Sequence, residues 1–306
     1  MSGVIAILIA TIIWGAAPAI FKYSLTDIPP FTLAFIRFFG AGILFLPFMV
    51  AHGKVLSVEE IKNIILGGLW GISINVAFFF LGLQLAPSIN VHIIGSLGPI
   101  VLYFLSVFML KEKPHPQLIK GMAISLIGTC VIVAAPFIEE WQKTHSSIDG
   151  ESMSIALGNF FFFISMLGGV LIVVYNKRVS TQIHPFLITG MQFLFGAMTF
   201  APFMMYELQT WTFDELTISS WVGIVYGLLF SSAIAYFTHN YALTKMHAQE
   251  IGLYAYLMPV ISIIVAIPLL KEFPNTSFVI GTLLIFVGIF ISERHNKTHT
   301  KKTLRR

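Results

Sequence analysis

Apolar residues in this chain come in long unbroken runs, separated by short polar punctuation. Ten runs stand out, at about 3–23, 31–50, 63–83, 88–110, 117–136, 154–176, 185–205, 219–241, 247–270 and 275–292. Most supply the ~20 mainly apolar residues that a helix needs to cross a bilayer. None alternates residue by residue, as a barrel strand must when one face meets lipid and the other a lumen. Only helices and closed barrels satisfy their backbone groups inside lipid. The pattern predicts an all-α integral membrane protein with ten transmembrane helices.

The runs also repeat. Met109-Leu110-Lys111-Glu112-Lys113-Pro114 returns as Leu269-Leu270-Lys271-Glu272-Phe273-Pro274, 160 positions later. The same shift carries Pro99 to Pro259, Gly121 to Gly281 and Gly128 to Gly288. Earlier in the chain the shift is 155, taking Lys22 to Lys177, Pro30-Phe31 to Pro185-Phe186 and Pro47-Phe48 to Pro202-Phe203. The expected organisation is a five-helix repeat at 1–136, an external linker at 137–153, a second five-helix repeat at 154–292 and a basic cytoplasmic tail at 293–306. Five is odd, so the second copy enters the membrane upside down. Inverted-topology repeats are common in secondary transporters, where two related halves rock about a site near the midplane.

Charge orients the spans. Only 10% of the 306 residues are charged, against about 25% in a soluble domain. With both termini cytoplasmic, inner loops and tail hold fourteen of the 18 Lys and Arg. The outer loops hold Lys22, Lys143 and Lys271, and Arg37 lies within a span. This is a strong positive-inside bias. The tail from Arg294 to Arg306 accounts for much of the net charge of +4, and its reading is topological rather than nucleic-acid binding. The first run starts at residue 3 with no basic segment before it, so it is expected to remain as a span. The single cysteine, Cys130, cannot form an internal disulfide.

The centres of the spans are nearly free of charge, so neutral polar residues must carry recognition. His92, Ser96, Pro99, Tyr103 and Ser106 follow the spacing of one helical face. That face is expected toward a water-filled cavity or toward neighbouring helices. Gly67, Gly71 and Asn75 share a face of the third run, where Asn75 is either a ligand contact or interhelical glue. Trp14 lies mid-membrane, away from the interfacial belt usual for tryptophan, as a cavity wall or a packed core ring. Ser165, Tyr254 and Tyr256 complete the candidate substrate contacts, and Pro99 and Pro259 are the candidate hinges. Arg37 either snorkels or holds an anion. His239 is either interfacial or a coupling group. Glu250 either stabilises a helix start or couples protons. The polar positions do not repeat between halves: Asn75 is matched by Ala235, His92 by Gly252, Ser96 by Tyr256 and Arg37 by Gln192.

Several of these landmarks together resemble the drug/metabolite transporter superfamily in its ten-helix EamA-type branch. They are Pro99 and Pro259, Glu112 and Glu272, the glycines nine and sixteen positions beyond each glutamate, and the opening IIWGAAPAIFKYSL…PPFTLAFIRFFGAGILFLP with Arg37. The likeness covers essentially the whole chain. It implies a multi-pass cell-membrane exporter of amino acids or other small metabolites. The chain shows no paired basic residues in the late runs of the kind that phosphate-binding relatives need, which argues against phosphorylated cargo. No Walker motif suggests ATP drive. An intramembrane enzyme would need a nucleophile with its base, and no G-x-S-x-G or H-E-x-x-H motif links the available residues. A channel or scramblase would want a continuous polar groove. The partners expected are a small neutral or zwitterionic substrate and the lipid bilayer, with a homodimer left open. No nucleic acid, cofactor or metal is called for.

Overall fold

The computed structural model describes residues 1–88, 90–114, 116–143, 150–270 and 279–291. The Lys271-Glu272 copy of the repeated motif, residues 144–149 of the expected linker and the expected tail lie outside these. Among the described residues the regular structure is helical. It comprises α1 (Gly3–Ser24), α2 (Pro30–Ala51), α3 (Val58–Leu85), α4 (Asn90–Gly95), α5 (Gly98–Met109) and α6 (Pro116–Lys143). It continues with α7 (Gly150–Val179), α8 (Pro185–Glu207), α9 (Ile218–Leu243), α10 (Ala248–Tyr254), α11 (Met258–Leu270) and α12 (Val279–Ile291). Six helices are long and apolar enough to cross a membrane: α1, α2, α3, α7, α8 and α9. Shorter apolar helices are α5, Leu118–Gly128 within α6, and α12.

Local chemistry sets the helix starts. Ser2 caps α1 by accepting from Ile5 N–H, and Ser57 with Glu60 forms a reciprocal capping box on α3. Pro30 and Pro185 open α2 and α8, where a missing N–H costs nothing.

The fourth and ninth apolar runs are not continuous helices. The fourth breaks at Ser96-Leu97, between α4 and α5, and the ninth at the 3-10 turn Ala255–Leu257, between α10 and α11. In each the proline, Pro99 or Pro259, is the second residue of the helix after the break. Proline has no N–H to donate to the preceding turn and is well suited to the first turn of a new helix, so each helix stops and restarts there. A second pair of irregularities lies in α3 and α9, which widen to π-helical turns at Leu69–Ile74 and Tyr226–Ile234.

The residues that recur along the sequence meet in matching ways. Lys22, near the end of α1, donates from Nζ to the Ala86 carbonyl at 2.7 Å, just past α3. Lys177, near the end of α7, donates to the carbonyls of Leu243 and Met246 at 2.7 and 2.5 Å, at and just past the end of α9. Both lysines satisfy orphan carbonyls at a negative helix end. The repeated glycines cross one another. A Cβ on Gly128 of α6 would stand 2.6 Å from the Gly281 carbonyl oxygen of α12, and one on Gly288 would stand 2.5 Å from that of Gly121. Glycine at both crossings lets the two backbones touch, the common solution where packing inside a membrane lacks a hydrophobic drive.

Carboxylates pin helix starts across the structure. Glu207, closing α8, accepts from the N–H groups of Phe31 and Thr32 at 3.0 and 2.6 Å, at the start of α2. Glu112 accepts from the N–H groups of Ala248 and Gln249 at 2.8 and 3.3 Å, at the start of α10. Lys111 makes this reach possible with a left-handed backbone, φ 55°. That turn also folds the Glu112 N–H back to the Ser106 carbonyl at 3.1 Å. The first copy of the repeated Lys-Glu pair is thus a turn followed by a cap. Large apolar side chains such as Phe108, Met198 and Met205 remain strongly exposed on the outside, a surface suited to lipid.

Candidate functional site

A central cavity of about 280 Å³ opens where α1, α2, α3, α7 and α9 surround the two breaks. Its wall is mainly apolar. Six of the eight predicted substrate contacts line it: Trp14, Asn75, His92, Ser96, Ser165 and Tyr256. Pro99, Pro259, Arg37 and His239 line it as well.

Three predicted residues do not. Tyr103 is buried but stands off the cavity, one turn beyond Pro99, which lines it. Tyr254, the last residue before the second break, is buried off the cavity wall. Glu250 accepts from the His247 N–H at 3.1 Å in a capping box at the start of α10, a local structural bond.

The π-helical turns explain two aromatic positions. A π turn shifts the backbone register and releases carbonyls from their usual partners. Trp14 donates its indole N–H to the Ser231 carbonyl at 3.1 Å, and the Tyr236 hydroxyl donates to the Gly71 carbonyl at 3.1 Å. The Trp14 and Tyr236 rings meet edge to face at 5.0 Å, and His239 tilts against Trp14 at 5.2 Å. His239 is therefore a buried wall residue rather than an interfacial one.

Asn75 donates to the carbonyl and hydroxyl of Ser165 at 2.7 and 3.1 Å. This bond ties α3 to α7 along the glycine face, where Gly71 is crowded by Ile172. Two other polar atoms in the wall have no hydrogen-bond partner among the described residues: His92 Nε2 and the Tyr256 hydroxyl. Buried polar atoms are seldom left that way in a finished structure.

Arg37 is 2% exposed. Its Nε donates to Ser232 Oγ at 3.1 Å and its Nη2 to Ser231 Oγ at 3.0 Å. The guanidinium also lies 4.8 and 4.6 Å from the ring centres of Phe21 and Phe38.

Sequence reasoning missed Ser231 and Ser232, which read as ordinary small residues of an apolar run. It also missed a buried amide network. Asn176 donates to Asn240 Oδ1 at 2.8 Å, Gln192 donates to Asn176 Oδ1 at 2.7 Å, and Asn240 donates to Thr189 Oγ1 at 2.8 Å. The usable signal was several amides in otherwise apolar runs, which must find partners on neighbouring helices.

At one end of the broken helices Glu112 also faces His247, 3.5 Å away. Burial pushes the Glu112 carboxyl up. The His247 contact and the two capping amides outweigh that and hold it below its ordinary value. The same contact raises the His247 imidazole above its ordinary value.

A helical protein with lipid-suited flanks and a mid-structure cavity between broken helices belongs to the multi-pass membrane transporters in its architecture. The comparisons place it further: the chain belongs to the EamA-like transporter family, which it matches over residues 1–134 and 156–293. It is 24% identical over 295 residues to the uncharacterized transporter YetK of Bacillus subtilis (strain 168), covering 95% of this chain and 87% of that one. It is 27% identical over 285 residues to an S-adenosylmethionine uptake transporter of Rickettsia prowazekii (strain Madrid E), covering 92% and 89%. A solved crystal structure shares the fold with a TM-score of 0.73 at 18% identity, covering 95% of this chain and 96% of that one.

Proposed function

We propose that this protein is a secondary transporter carrying a small neutral or zwitterionic, amino-acid-like metabolite across the cell membrane. It would work by alternating access between two inverted five-helix halves, with both termini cytoplasmic. The observation that carries the reading is the cavity itself. Both breaks open onto it, and its mainly apolar and aromatic wall carries a few polar side chains, among them Trp14, Asn75, Ser96, Ser165 and Arg37. Discontinuous helices meeting at a central site are the usual way transporters bind cargo.

The ten-helix inverted organisation draws support from the matched roles of Lys22 and Lys177, the reciprocal glycine crossing, the paired breaks and the paired π turns. One relative is named an S-adenosylmethionine uptake transporter, and that cargo carries an amino-acid head group together with a sulfonium charge, so it supports the amino-acid-like part of the proposed class and not its neutrality. The sequence suggests export. A carrier's net direction follows its gradients, so flux is to be tested both ways.

The test is counterflow in proteoliposomes against a panel of amino acids and nucleosides. Saturable uptake stimulated by cargo on the far side is expected. Non-saturating flux without trans-stimulation would mean a channel, and no flux of any panel member would remove the proposed cargo class.

A further inference from the structure

We infer that Arg37 is the seat of a carboxylate on the cargo. The inference rests on the transport reading and narrows its substrate class.

Arg37 is a fully buried cation in the cavity wall. An arginine keeps its proton inside proteins, so it cannot escape the cost of burial by becoming neutral. Its protein partners are two serine hydroxyls and aromatic rings, all uncharged. Among the described residues no carboxylate comes within ion-pair distance of it. No Asp or Glu lines the cavity. A guanidinium has five N–H donors. The serines take two of them, which orients the group and leaves donors for a further acceptor. It does not snorkel, because its fork turns inward to the π turn of α9.

A buried charge needs a counter-charge to be stable, and among the described residues there is none. What fills the cavity must therefore bring it. The wall holds one arginine and no lysine. A dianionic phosphate would leave the site negative, whereas one carboxylate balances it and suits the geometry of a guanidinium. A cargo ammonium would instead meet backbone oxygen. Pro99 lacks an N–H, so the carbonyl of Gly95 loses its usual helical donor. Gly95 lies on the wall.

The experiment uses the purified full chain in nanodiscs and measures ligand affinity by thermal stabilisation and direct titration. The probes are the standard amino acids, and for those with apolar side chains the matching amides, decarboxylated amines and N-acetyl derivatives. We expect the free acid to bind about ten- to a hundredfold more tightly than its amide or amine, the scale of a lost charge-assisted contact. The N-acetyl form, which keeps the carboxylate, should retain most of that preference. Arg37→Gln should collapse the acid-to-amide ratio to about one, and Arg37→Lys should keep part of it. If Arg37→Gln does not fold, the wild-type ratios decide alone. Equal binding of acid and amide, a preference for the amine, or no response to any carboxylate overturns the inference. Counterflow separates the two readings. Acid-selective binding without counterflow would sink transport and leave the carboxylate seat standing. Counterflow of amides or amines without acid preference would do the reverse.

Discussion

Gly71 and Ser231 stand 160 positions apart, each inside a π-helical turn, and each offers its carbonyl to an aromatic donor across the structure. Around that shared backbone the two turns do opposite things with their side chains. The first has no side chain at that position, and its one hydroxyl, Ser73, is spent on Thr199. Gly71 lies against Ile172, and the nearby Asn75 is consumed in bonds to Ser165. The second carries hydroxyls, and Ser231 with Ser232 holds the buried Arg37. One turn brings helices into contact and the other orients a charge at the cavity. A backbone device can thus be kept in two places while its side chains diverge in purpose.

That contrast is breakable. The largest effect is expected from replacing Ser231 and Ser232 together by alanine. The Arg37 guanidinium would lose both neutral acceptors, and a hydrogen bond to a charged group contributes about 1.5–3 kcal/mol. Thermal unfolding in detergent measures it, and a loss below 1 kcal/mol would mean that the serines do not support the charge. Next is Gly71→Ser, which gives the first turn the residue of the second. The added atoms meet the Ile172 side chain, an overpacking worth about 1–3 kcal/mol. Adding Ile172→Ala should recover part of the loss, and no recovery would place the crowding elsewhere.

A smaller effect separates structural from cargo-facing polar groups. Asn75→Ala should lower stability by about 1 kcal/mol through the lost bonds to Ser165. Tyr256→Phe removes a hydroxyl that has no hydrogen-bond partner among the described residues. It should leave stability unchanged while weakening cargo binding by about 0.5–1.5 kcal/mol. Identical behaviour of the two variants would erase the distinction.

The smallest effect is the pH dependence of the Glu112–His247 contact. Glu112 has a depressed value, so its contribution is present above its unfolded value of 4.5 and fades as pH falls through the folded one. His247 has a raised value, so its contribution is present below its unfolded value of 6.5 and fades as pH rises through the folded one. Stability from this contact should be greatest between pH 4.5 and 6.5 and smaller on either side. Unfolding of wild type and Glu112→Gln across that range tests it, since the variant should flatten the profile.

Much of the molecule is legible in the chain itself. Long apolar runs dictate membrane helices because lipid leaves the backbone no other partner. The prolines forecast the breaks, and the recurring lysines, glycines and glutamate mark helix ends and crossings, because capping and close approach depend on residue type at fixed offsets. Trp14, Asn75, His92 and Ser96 could be nominated for the cavity from depth and polarity alone.

What the chain could not state is which polar atoms are already spent. Asn75 and Ser165 both line the cavity, but part of their hydrogen-bonding capacity is already spent on each other. Tyr103 follows the spacing of His92, Ser96 and Pro99, yet the cavity ends before it, and spacing alone does not tell how far a cavity reaches. Ser231 and Ser232 carry no signal until α2 lies beside α9 and brings Arg37 to them. Burial, hydrogen-bond satisfaction and charge compensation are properties of pairs distant in sequence, and only the packed helices decide which pairs exist.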